Sequence, residues 1–449
     1  MNNNTAPYEL SKTNTLNSPT RSINRAISAP QPDLNIDQVS EEVKLEPDVD
    51  NAIPEGPPPD KGYAWIVMVA CFVNLLFAFG TTNAFGVFQT YYLEVLFVDV
   101  SADLIAWIST TCIFFTLAGG LAAGPIIRRI GMRYTSILGT FIGSAGLLLA
   151  SFSTKVWQLV LTQGVIFGFG SSLIVNIALT APALWFDKNR GMAIGLVASG
   201  GGFGALVLIP VVTKVVEVNS VWWAFRVLFL MYFVSTLVGG FLLKPRIGFT
   251  PINKIIDFGL IKDPVAMLIC AVGFLLEIGY SITMLYFPAS LVDNGTSVTL
   301  ATNLIMAFCT ISAFSRIISG YLVKKMNPMD IMIFCHSMSG IIMLTMWLTN
   351  KKFSVHLVYY LLFGLFSVPF FSLGPVVTAS YYKKEKISQV NGLSYLSMGI
   401  GILVGYPSVG AVFQNYGKRT DYSQIIIIGG TFYLLSVIPL VALRHYIKK

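Results

Sequence analysis

The chain has 449 residues, of which 54% are hydrophobic and 12% are charged. A soluble domain carries roughly 25% charged residues because water must wet its surface. This composition therefore excludes a soluble enzyme, a nucleic-acid-binding protein, a secreted disulfide-rich domain and a disordered protein. The formal net charge of +8 is typical of a membrane protein with cationic cytoplasmic loops. We expect an integral membrane protein whose partner is the lipid bilayer, with no nucleic acid and no cofactor.

Residues 1–59 differ in composition from the rest of the chain. They are rich in Asn, Ser, Thr, Pro and acidic residues and contain almost no aromatic side chains. Such a segment buries too little apolar surface to offset the entropy lost on ordering, so we expect a disordered tail. It lacks the basic start and the apolar core of a signal peptide, and we expect it to stay in the cytoplasm.

Apolar runs long enough to cross a bilayer as helices, about 20 residues each, repeat from residue 62 onward. Seventeen lysines and arginines lie in loops on the side of the chain termini, and six lie in the opposite loops. Because cytoplasmic loops carry the excess of cations, we expect both termini in the cytoplasm. The twelve predicted spans are 62–86, 104–124, 135–152, 158–180, 191–211, 223–243, 264–288, 300–321, 331–349, 357–380, 391–412 and 425–443.

Two sequence motifs recur at one offset. GPIIRR at 124–129 is matched by GYLVKK at 320–325, and ALWFDKNR at 183–190 is matched by ASYYKKEK at 379–386. Both pairs are 196 residues apart and border corresponding spans. We therefore predict an internal repeat of six spans.

The repeat divides the chain into the tail, an N-terminal half at 60–243, a cytoplasmic linker at 244–263 and a C-terminal half at 264–449. Two parallel six-helix halves are typical of the major facilitator fold, an all-α membrane architecture with its substrate site between the halves. The glycine run at 200–204 lacks the Lys-Ser/Thr of a phosphate-binding loop. We expect it to allow close contacts between helices instead.

Two further segments resemble signatures of a known family. DKGYAW at 60–65 resembles the signature that opens the first span of monocarboxylate porters, and WFDKNRGMAIGL at 185–196 resembles their fifth-span signature. NAFGVFQ at 83–89 and WAFR at 223–226 look like the fungal branch. The resemblance covers about residues 57–449. It implies a secondary transporter for small organic anions, proton-coupled in many members, and at least one fungal relative carries riboflavin.

The sequence also departs from this family. The Asp-x-x-x-Arg pair of the eighth span is reduced here to Ser312 and Arg316, so the arginine remains without its acid. The lysine that animal members use in the first span falls on Asn83. Arg128 stands where the general loop motif has an acidic residue. Proton symport of lactate or pyruvate therefore does not transfer directly.

Arg316 and Glu277 are the clear charges inside the predicted spans. A charge at the centre of a membrane helix costs about 2.5–3.5 kcal/mol on insertion scales, so it needs a partner, a water-filled cavity or a route to the interface. We predict that Arg316 binds an anionic substrate, that Asn83 adds a hydrogen bond and that Glu277 carries the coupled proton. The alternatives are a snorkelling arginine and a structural acid.

Lys188 and Arg190 precede the fifth span, and Lys384 and Lys386 occupy the equivalent positions before the eleventh. Cations at these positions follow the positive-inside rule. We predict that they also pair with acidic side chains when the cytoplasmic gate closes. The alternative is that they only anchor the helices.

No catalytic or metal-binding constellation stands out in the sequence, so we predict a non-enzyme. The function that the resemblance implies is secondary active transport of a small monocarboxylate-like anion by alternating access, with symport of protons as in many members of the family. A permease for another solute such as riboflavin, and a sensor that has the transporter fold but signals instead, are the alternatives. We expect the plasma membrane, with the vacuolar or another internal membrane as the alternative location.

Overall fold

The computed structural model describes residues 56–246, 258–418 and 420–448, without the side chains of Ala102, Asp103 and Lys448. Nearly all of the predicted tail and most of the predicted linker lie outside these residues. The regular secondary structure of the described residues is entirely helical, which confirms the all-α fold class.

Eleven helical segments of the described residues are long and apolar enough to cross a bilayer. The longest, Leu104–Ala150, has 47 residues, and its helical path breaks at Gly131, whose φ of 83° suits a residue without a Cβ. Because about 20 residues cross a bilayer once, this segment crosses twice, and the twelve predicted spans are confirmed. In chain order, α1 to α12 are Tyr63–Leu96, 104–130, 132–150, Val156–Trp185, Arg190–Val218, Val221–Leu242, Pro264–Asp293, Val298–Leu322, Pro328–Trp347, Phe353–Tyr381, Lys384–Asn415 and Ser423–Ile447.

Three spans of the second half begin with a side chain that caps free backbone amides, and in two of them a proline follows the cap. Before α7, Asp263 Oδ1 accepts from the amide of Val265 at 3.0 Å, and before α9, Asn327 Oδ1 accepts from the amide of Met329 at 2.9 Å. Proline suits the position after a cap because the first helical residue has no use for an amide hydrogen. These residues fix where the two helices begin.

Several helices extend beyond the predicted spans. Helix α1 continues to Leu96, past the predicted end at 86, and its last turn is a π-helix. Helix α11 begins at Lys384 rather than at 391. Hydropathy marks only the apolar length of a helix, whereas backbone hydrogen bonding continues through the polar residues at its ends.

Helix α5 is packed between α1 of its own half and α8 of the other half. A methyl group added to Gly200 would lie 2.6 Å from the carbonyl oxygen of Phe72 in α1. One added to Gly195 would lie 2.5 Å from the carbonyl oxygen of Arg316 in α8. Such distances are too short for a real side chain, so the close approach of these backbones requires glycine. The close helix contacts expected around the glycine run are present.

Helices α2 and α11 make the corresponding contact with the roles of the halves exchanged. A methyl group on Gly392 would lie 3.1 Å from the carbonyl oxygen of Gly120, and one on Gly399 would lie 3.1 Å from Cδ2 of Phe114. The predicted repeat of 196 residues carries α5 onto α11 and α2 onto α8. The exact borders of the halves and of the linker stay predictions.

The two ends of the helix bundle differ. At one end, the Tyr63 hydroxyl donates to the carbonyl oxygen of Leu242 at 2.9 Å, and Arg444 Nη2 donates to Asp330 Oδ2 at 2.8 Å. We call this end, where α1 begins and α12 ends, the closed end. The opposite end, where α1 ends and α2 begins, is called the open end.

Candidate functional site

A cavity of about 970 Å³ lies between the two halves. Its walls come mainly from α1, α2 and α5 of the first half and from α7, α8 and α11 of the second. It extends from Arg316 and Tyr395 in its depth to Ser101 and Gln414 beside the open end. Sites for small molecules measure about 300–1,000 Å³, so this space suits an organic solute.

Polar bonds between the halves shut the cavity toward the closed end. The side-chain amide of Asn176 in α4 donates to the carbonyl oxygen of Ser388 in α11 at 3.1 Å, and the Ser388 hydroxyl donates to Asn176 Oδ1 at 2.6 Å. Lys324 Nζ donates to Asn189 Oδ1 at 2.7 Å. Together with the glycine contacts, these bonds hold the two halves together at the closed end. The cavity of the described conformation is therefore accessible from the open end.

Arg316 projects from α8 into the deep part of the cavity. Its Nη1 donates to the carbonyl oxygen of Ala198 in α5 at 3.0 Å, and this bond crosses between the halves. The guanidinium carbon lies 5.3 Å from the ring centre of Phe371, a cation–π distance. Its Nε is buried and has no hydrogen-bond partner among the described residues. An anion beside Arg316 would therefore meet an unsatisfied donor.

Glu277 lies in α7, lines the same cavity and is 5% exposed. Its Oε2 is buried without a hydrogen-bond partner in the described part of the chain. Tyr280, one turn along α7, lies with its ring centre 5.5 Å from that of Phe371, the ring beside Arg316. The ion pairs found among the described residues are Arg190–Asp187, Lys214–Glu217 and Arg444–Asp330, so Glu277 does not pair with Arg316 in this conformation.

Asn83 lies in α1 and lines the cavity near Arg316. Its Nδ2 donates to the carbonyl oxygen of Gly201 at 3.3 Å. A methyl group on Gly201 would lie 3.0 Å from Arg316 Nη1, so the missing side chain leaves room for the guanidinium. The structure thus brings the three residues predicted for the substrate site to one cavity, with Asn83 and Arg316 bonded to neighbouring turns of α5.

The four predicted gating cations all lie at the closed end. Arg190 bridges the halves, because its Nη1 donates to the carbonyl oxygen of Ala379 in α10 at 3.1 Å. Its Nη2 pairs with Asp187 of its own loop at 3.1 Å. The side chains of Lys188, Lys384 and Lys386 are exposed, and none of them belongs to an ion pair of the described residues.

Sequence reasoning missed two polar features of the closed end. Asn176 stands alone in the apolar stretch SSLIVNIAL at 171–179, a signal that could have indicated it. In the sequence, Asp60 stands out only as part of the family signature at 60–65. Its carboxylate accepts from the backbone amides of Asp187 and Lys188 at 3.1 Å each and of Asn189 at 2.9 Å. Asp60 thereby ties the start of α1 to the loop before α5.

The carboxylate of Asp60 keeps its charge over a wide pH range. Partial burial raises the pKa of Asp60, but the hydrogen bonds from Asn189, Asp187 and Lys188 outweigh it and leave the pKa below its usual value. A lowered folded-state pKa gives stability that is present above the unfolded value of about 3.9 and is lost as pH falls through the lower folded value. The bonds of Asp60 therefore persist at neutral and mildly acidic pH.

Comparison with known proteins relates most of the chain to one protein family. Residues 70–359 and 269–448 match the family described as Major Facilitator Superfamily. The chain is 29% identical to the MFS transporter asaE of Aspergillus flavus over 414 residues, covering 88% of this chain and 93% of that protein. It is 26% identical to the riboflavin transporter MCH5 of Saccharomyces cerevisiae over 415 residues, covering 86% of this chain and 79% of that protein.

Solved structures of similar fold include two sugar transporters. The proton:xylose symporter XylE bound to 6-bromo-6-deoxy-D-glucose has a TM-score of 0.69 at 14% identity, over 84% of this chain and 94% of that chain. FucP in the outward conformation has a TM-score of 0.66 at 14% identity, over 85% of this chain and 99% of that chain. At these identities the likeness concerns the fold alone. The family match, the fungal relatives and the two-half helical fold together show that the chain belongs to the Major Facilitator Superfamily of membrane transporters.

Proposed function

We propose that this protein is a secondary transporter that carries a small monocarboxylate-like organic anion by alternating access, with Arg316 as its anion-binding group. The observation that carries the proposal is the guanidinium of Arg316 inside the cavity between the halves. Its polar partner is a neutral carbonyl oxygen, and no carboxylate of the described residues pairs with it. A guanidinium can hold a carboxylate through two parallel hydrogen bonds, which are strong where water is excluded.

Glu277 supports coupling of this transport to protons. It is the acidic residue among those lining the cavity, and no cation in the described part of the chain pairs with it. Burying an unpaired charge is unfavourable, so a carboxyl group in this position is suited to taking up and releasing a proton as the cavity changes its access. Arrival of an anion at Arg316 would alter the electrostatic surroundings of Glu277 in the same cavity.

A flavin-like solute is the second candidate. It is favoured by the similarity to a riboflavin transporter and by the aromatic wall that Tyr280, Phe371 and Tyr395 form in the depth of the cavity. A flat ring system can stack on such side chains. In this case Asn83 would contribute hydrogen bonds, and Arg316 would act through its planar face rather than its charge.

Solute counterflow in proteoliposomes tests the proposal. A panel of labelled monocarboxylates and riboflavin is offered to the wild-type protein and to Arg316→Lys, which keeps the charge but loses the planar fork. Anion counterflow should weaken by at least about tenfold, the equivalent of about 1.4 kcal/mol of binding. Arg129→Lys, the same exchange at an exposed position outside the cavity, is the control and should match the wild type.

The other outcomes discriminate between the candidates. Anion counterflow that is unchanged in Arg316→Lys contradicts the anion-binding role. Riboflavin counterflow that is the same in Arg316→Lys as in the wild type favours the flavin-like solute. A protein that reaches the membrane and exchanges no solute of the panel favours the sensor.

A further inference from the structure

Four side chains that line the cavity have a buried polar atom without a hydrogen-bond partner among the described residues: Thr116, Glu277, Arg316 and Tyr395. The hydroxyl of Thr116 lies beside the thiol of Cys112, and Glu277 is the proposed proton carrier. Arg316 and Tyr395 remain, and both lie in the depth of the cavity. A buried polar group without a partner is unfavourable, so this depth is suited to a solute that supplies hydrogen-bond acceptors.

The guanidinium of Arg316 keeps one edge free. Its Nη1 donates to the carbonyl oxygen of Ala198 at 3.0 Å, and its Nε has no partner in the described part of the chain. Nε and Nη2 point their hydrogens in the same direction and together match the two oxygens of a carboxylate. A carboxylate can therefore bind this edge in the described conformation, before it competes with Ala198 for the guanidinium.

Tyr395 in α11 supplies a further donor in the same region. It is 5% exposed and lies close enough to Arg316 for the two side chains to interact electrostatically. A carboxylate has about four lone-pair sites, of which the edge of Arg316 uses two. The hydroxyl of Tyr395 can donate to a third, and a hydrogen bond to a charged acceptor is a strong one. The depth of the cavity therefore suits a carboxylate better than a neutral amide or ester.

The walls between this depth and the open end offer mainly apolar contacts. The apolar side chains that line them come from four helices and include Ile113, Met284, Ile305 and Phe413. Polar side chains also occur there, but they already donate to protein acceptors. Ser109 Oγ donates to Gln89 Oε1 at 2.7 Å, and Thr110 Oγ1 donates to a backbone carbonyl oxygen of its own helix at 3.0 Å. The remainder of a bound solute would thus lie against groups that need no further partner.

The apolar walls begin within reach of a solute bound at Arg316. In α11, Gly399 lies four residues, or about 6 Å, nearer the open end than Tyr395. Gly399 faces Phe114, the neighbour of Ile113 in α2. Ile113 therefore lies about one helical turn above the carboxylate position, toward the open end. The tail of an acid such as hexanoate can reach it.

We propose that the solute is an amphipathic carboxylic acid, whose carboxylate binds the Nε–Nη2 edge of Arg316 and the hydroxyl of Tyr395 while its apolar body extends past Ile113 toward the open end. The inference rests on the proposed anion-binding role of Arg316 and narrows the class of solute. Short or strongly hydroxylated acids would leave the apolar walls uncovered. Tyr395 then selects for the carboxylate, and Ile113 selects for the apolar body.

A series of acids tests the apolar body. Binding of labelled propionate, butyrate and hexanoate to the purified protein in lipid nanodiscs is measured directly, with protein-free nanodiscs as the background. Each added methylene should lower the dissociation constant by about threefold, as burial of a CH₂ group predicts. Gluconate, which is hydroxylated, and hexanamide, which is uncharged, are added as competitors. Each should displace hexanoate at least about tenfold less well than unlabelled hexanoate does.

Tyr395→Phe tests the carboxylate contact. It should weaken the binding of propionate and hexanoate by the same factor, at least about tenfold, because each acid loses one hydrogen bond to its charged group. The missing hydroxyl has no partner among the described residues, so folding should be unaffected. Tyr360→Phe is the matched control and should bind as the wild type does. The hydroxyl of Tyr360 is likewise buried without a partner among the described residues, but Tyr360 does not line the cavity.

Ile113→Thr tests the contact with the apolar body. The exchange keeps a branched side chain and makes this part of the wall polar. Propionate, which is too short to reach Ile113, should bind as it does to the wild type. The gain in affinity from propionate to hexanoate should shrink by at least about threefold. An undiminished gain would contradict the position of the apolar body.

The outcomes separate this inference from the proposed function. Propionate that binds the wild type at least as tightly as hexanoate overturns the apolar body and leaves transport of a small anion intact. Wild-type affinity in Tyr395→Phe overturns the role of its hydroxyl. If none of the acids binds, or if all of them bind Arg316→Lys as tightly as the wild type, the anion-binding role of Arg316 is itself contradicted.

Discussion

Arg316 belongs to the second half and is bonded to the first. Its hydrogen bond to the carbonyl oxygen of Ala198 joins α8 to α5 at the floor of the cavity. A carboxylate that takes over the guanidinium would replace a neutral acceptor by a charged one, which forms the stronger bond. Solute binding would then weaken a contact that holds the described conformation together, which is the differential interaction that a conformational change requires.

Glu277→Gln is the sharpest test of proton coupling. The exchange keeps the shape of the side chain and removes its ability to carry a proton. Counterflow, which needs no net proton movement, should continue, whereas uptake driven by a pH gradient should fall to the level seen without a gradient. Glu217→Gln, at an exposed acid paired with Lys214 at 3.5 Å, should keep both activities. Gradient-driven uptake in Glu277→Gln would exclude this acid as the proton carrier.

At the residue scale, the sequence predicts charges better than it predicts partners. Arg316 and Glu277 could be identified because a charge inside an apolar run is conspicuous. The bond from Arg316 to Ala198 could not, because a backbone acceptor leaves no trace in the identity of its side chain. The pairing of Asn176 with Ser388 joins residues 212 positions apart, and only the folded arrangement of the halves reveals it.

At the scale of helices, the closed end depends on the segments that precede α5 and α11. Asp60 binds the loop before α5 by three backbone amides, and Arg190 then reaches Ala379 in the other half. The equivalent position in the first turn of α11 is Lys386, whose side chain is exposed. The two halves are therefore similar in helix packing and different in the polar contacts at this end.

Arg190→Gln should weaken the closed end. A hydrogen bond from a charged donor contributes about 1.5–3 kcal/mol, so its loss lowers the population of the described conformation. The apparent affinity for a solute offered at the open end should fall by about tenfold, since binding is reduced by the fraction of competent protein. Binding to purified protein and surface expression are measured together, with Lys386→Gln as the control at the equivalent position. Equal effects of Arg190→Gln and Lys386→Gln would indicate that these cations only anchor the helices.

Helix centres could be predicted from the sequence, and helix ends could not. All twelve spans were located because each needs about 20 apolar residues. The extension of α1 to Leu96 escaped prediction, because polar residues such as Glu94 continue the helix outside the apolar run. The break at Gly131 lies inside the loop predicted between 124 and 135, but its exact position and its positive φ could not be predicted from a single glycine.

At the scale of the whole molecule, the halves meet at the closed end and the cavity is accessible from the open end. The closed end carries most of the cations, so the positive-inside rule assigns it to the cytoplasm. This assignment predicts that the cavity faces away from the cytoplasm. The orientation stays a prediction that labelling can decide.

Cysteine labelling of surface-expressed protein tests the orientation. Asn294 lies at the open end and Lys325 at the closed end, and both are exposed. A reagent that cannot cross the membrane should label Asn294→Cys in intact cells and should label Lys325→Cys only after permeabilisation. The native cysteines are all buried, so the background should be low. Labelling in the opposite order would invert the topology.

Three bonds between the halves share a construction that bears on how the protein can diverge. Arg316, Arg190 and Asn176 donate from side chains, and their acceptors are the backbone carbonyl oxygens of Ala198, Ala379 and Ser388. An acceptor of this kind survives almost any substitution that leaves the helix in place. For Arg316 and Arg190, selection then has to preserve only the donor of the bond, whereas the Ser388 hydroxyl also donates to Asn176 and adds a side-chain requirement to that pair. Relatives can accordingly change much of the lining, and with it the solute they accept, while the two halves still recognise each other.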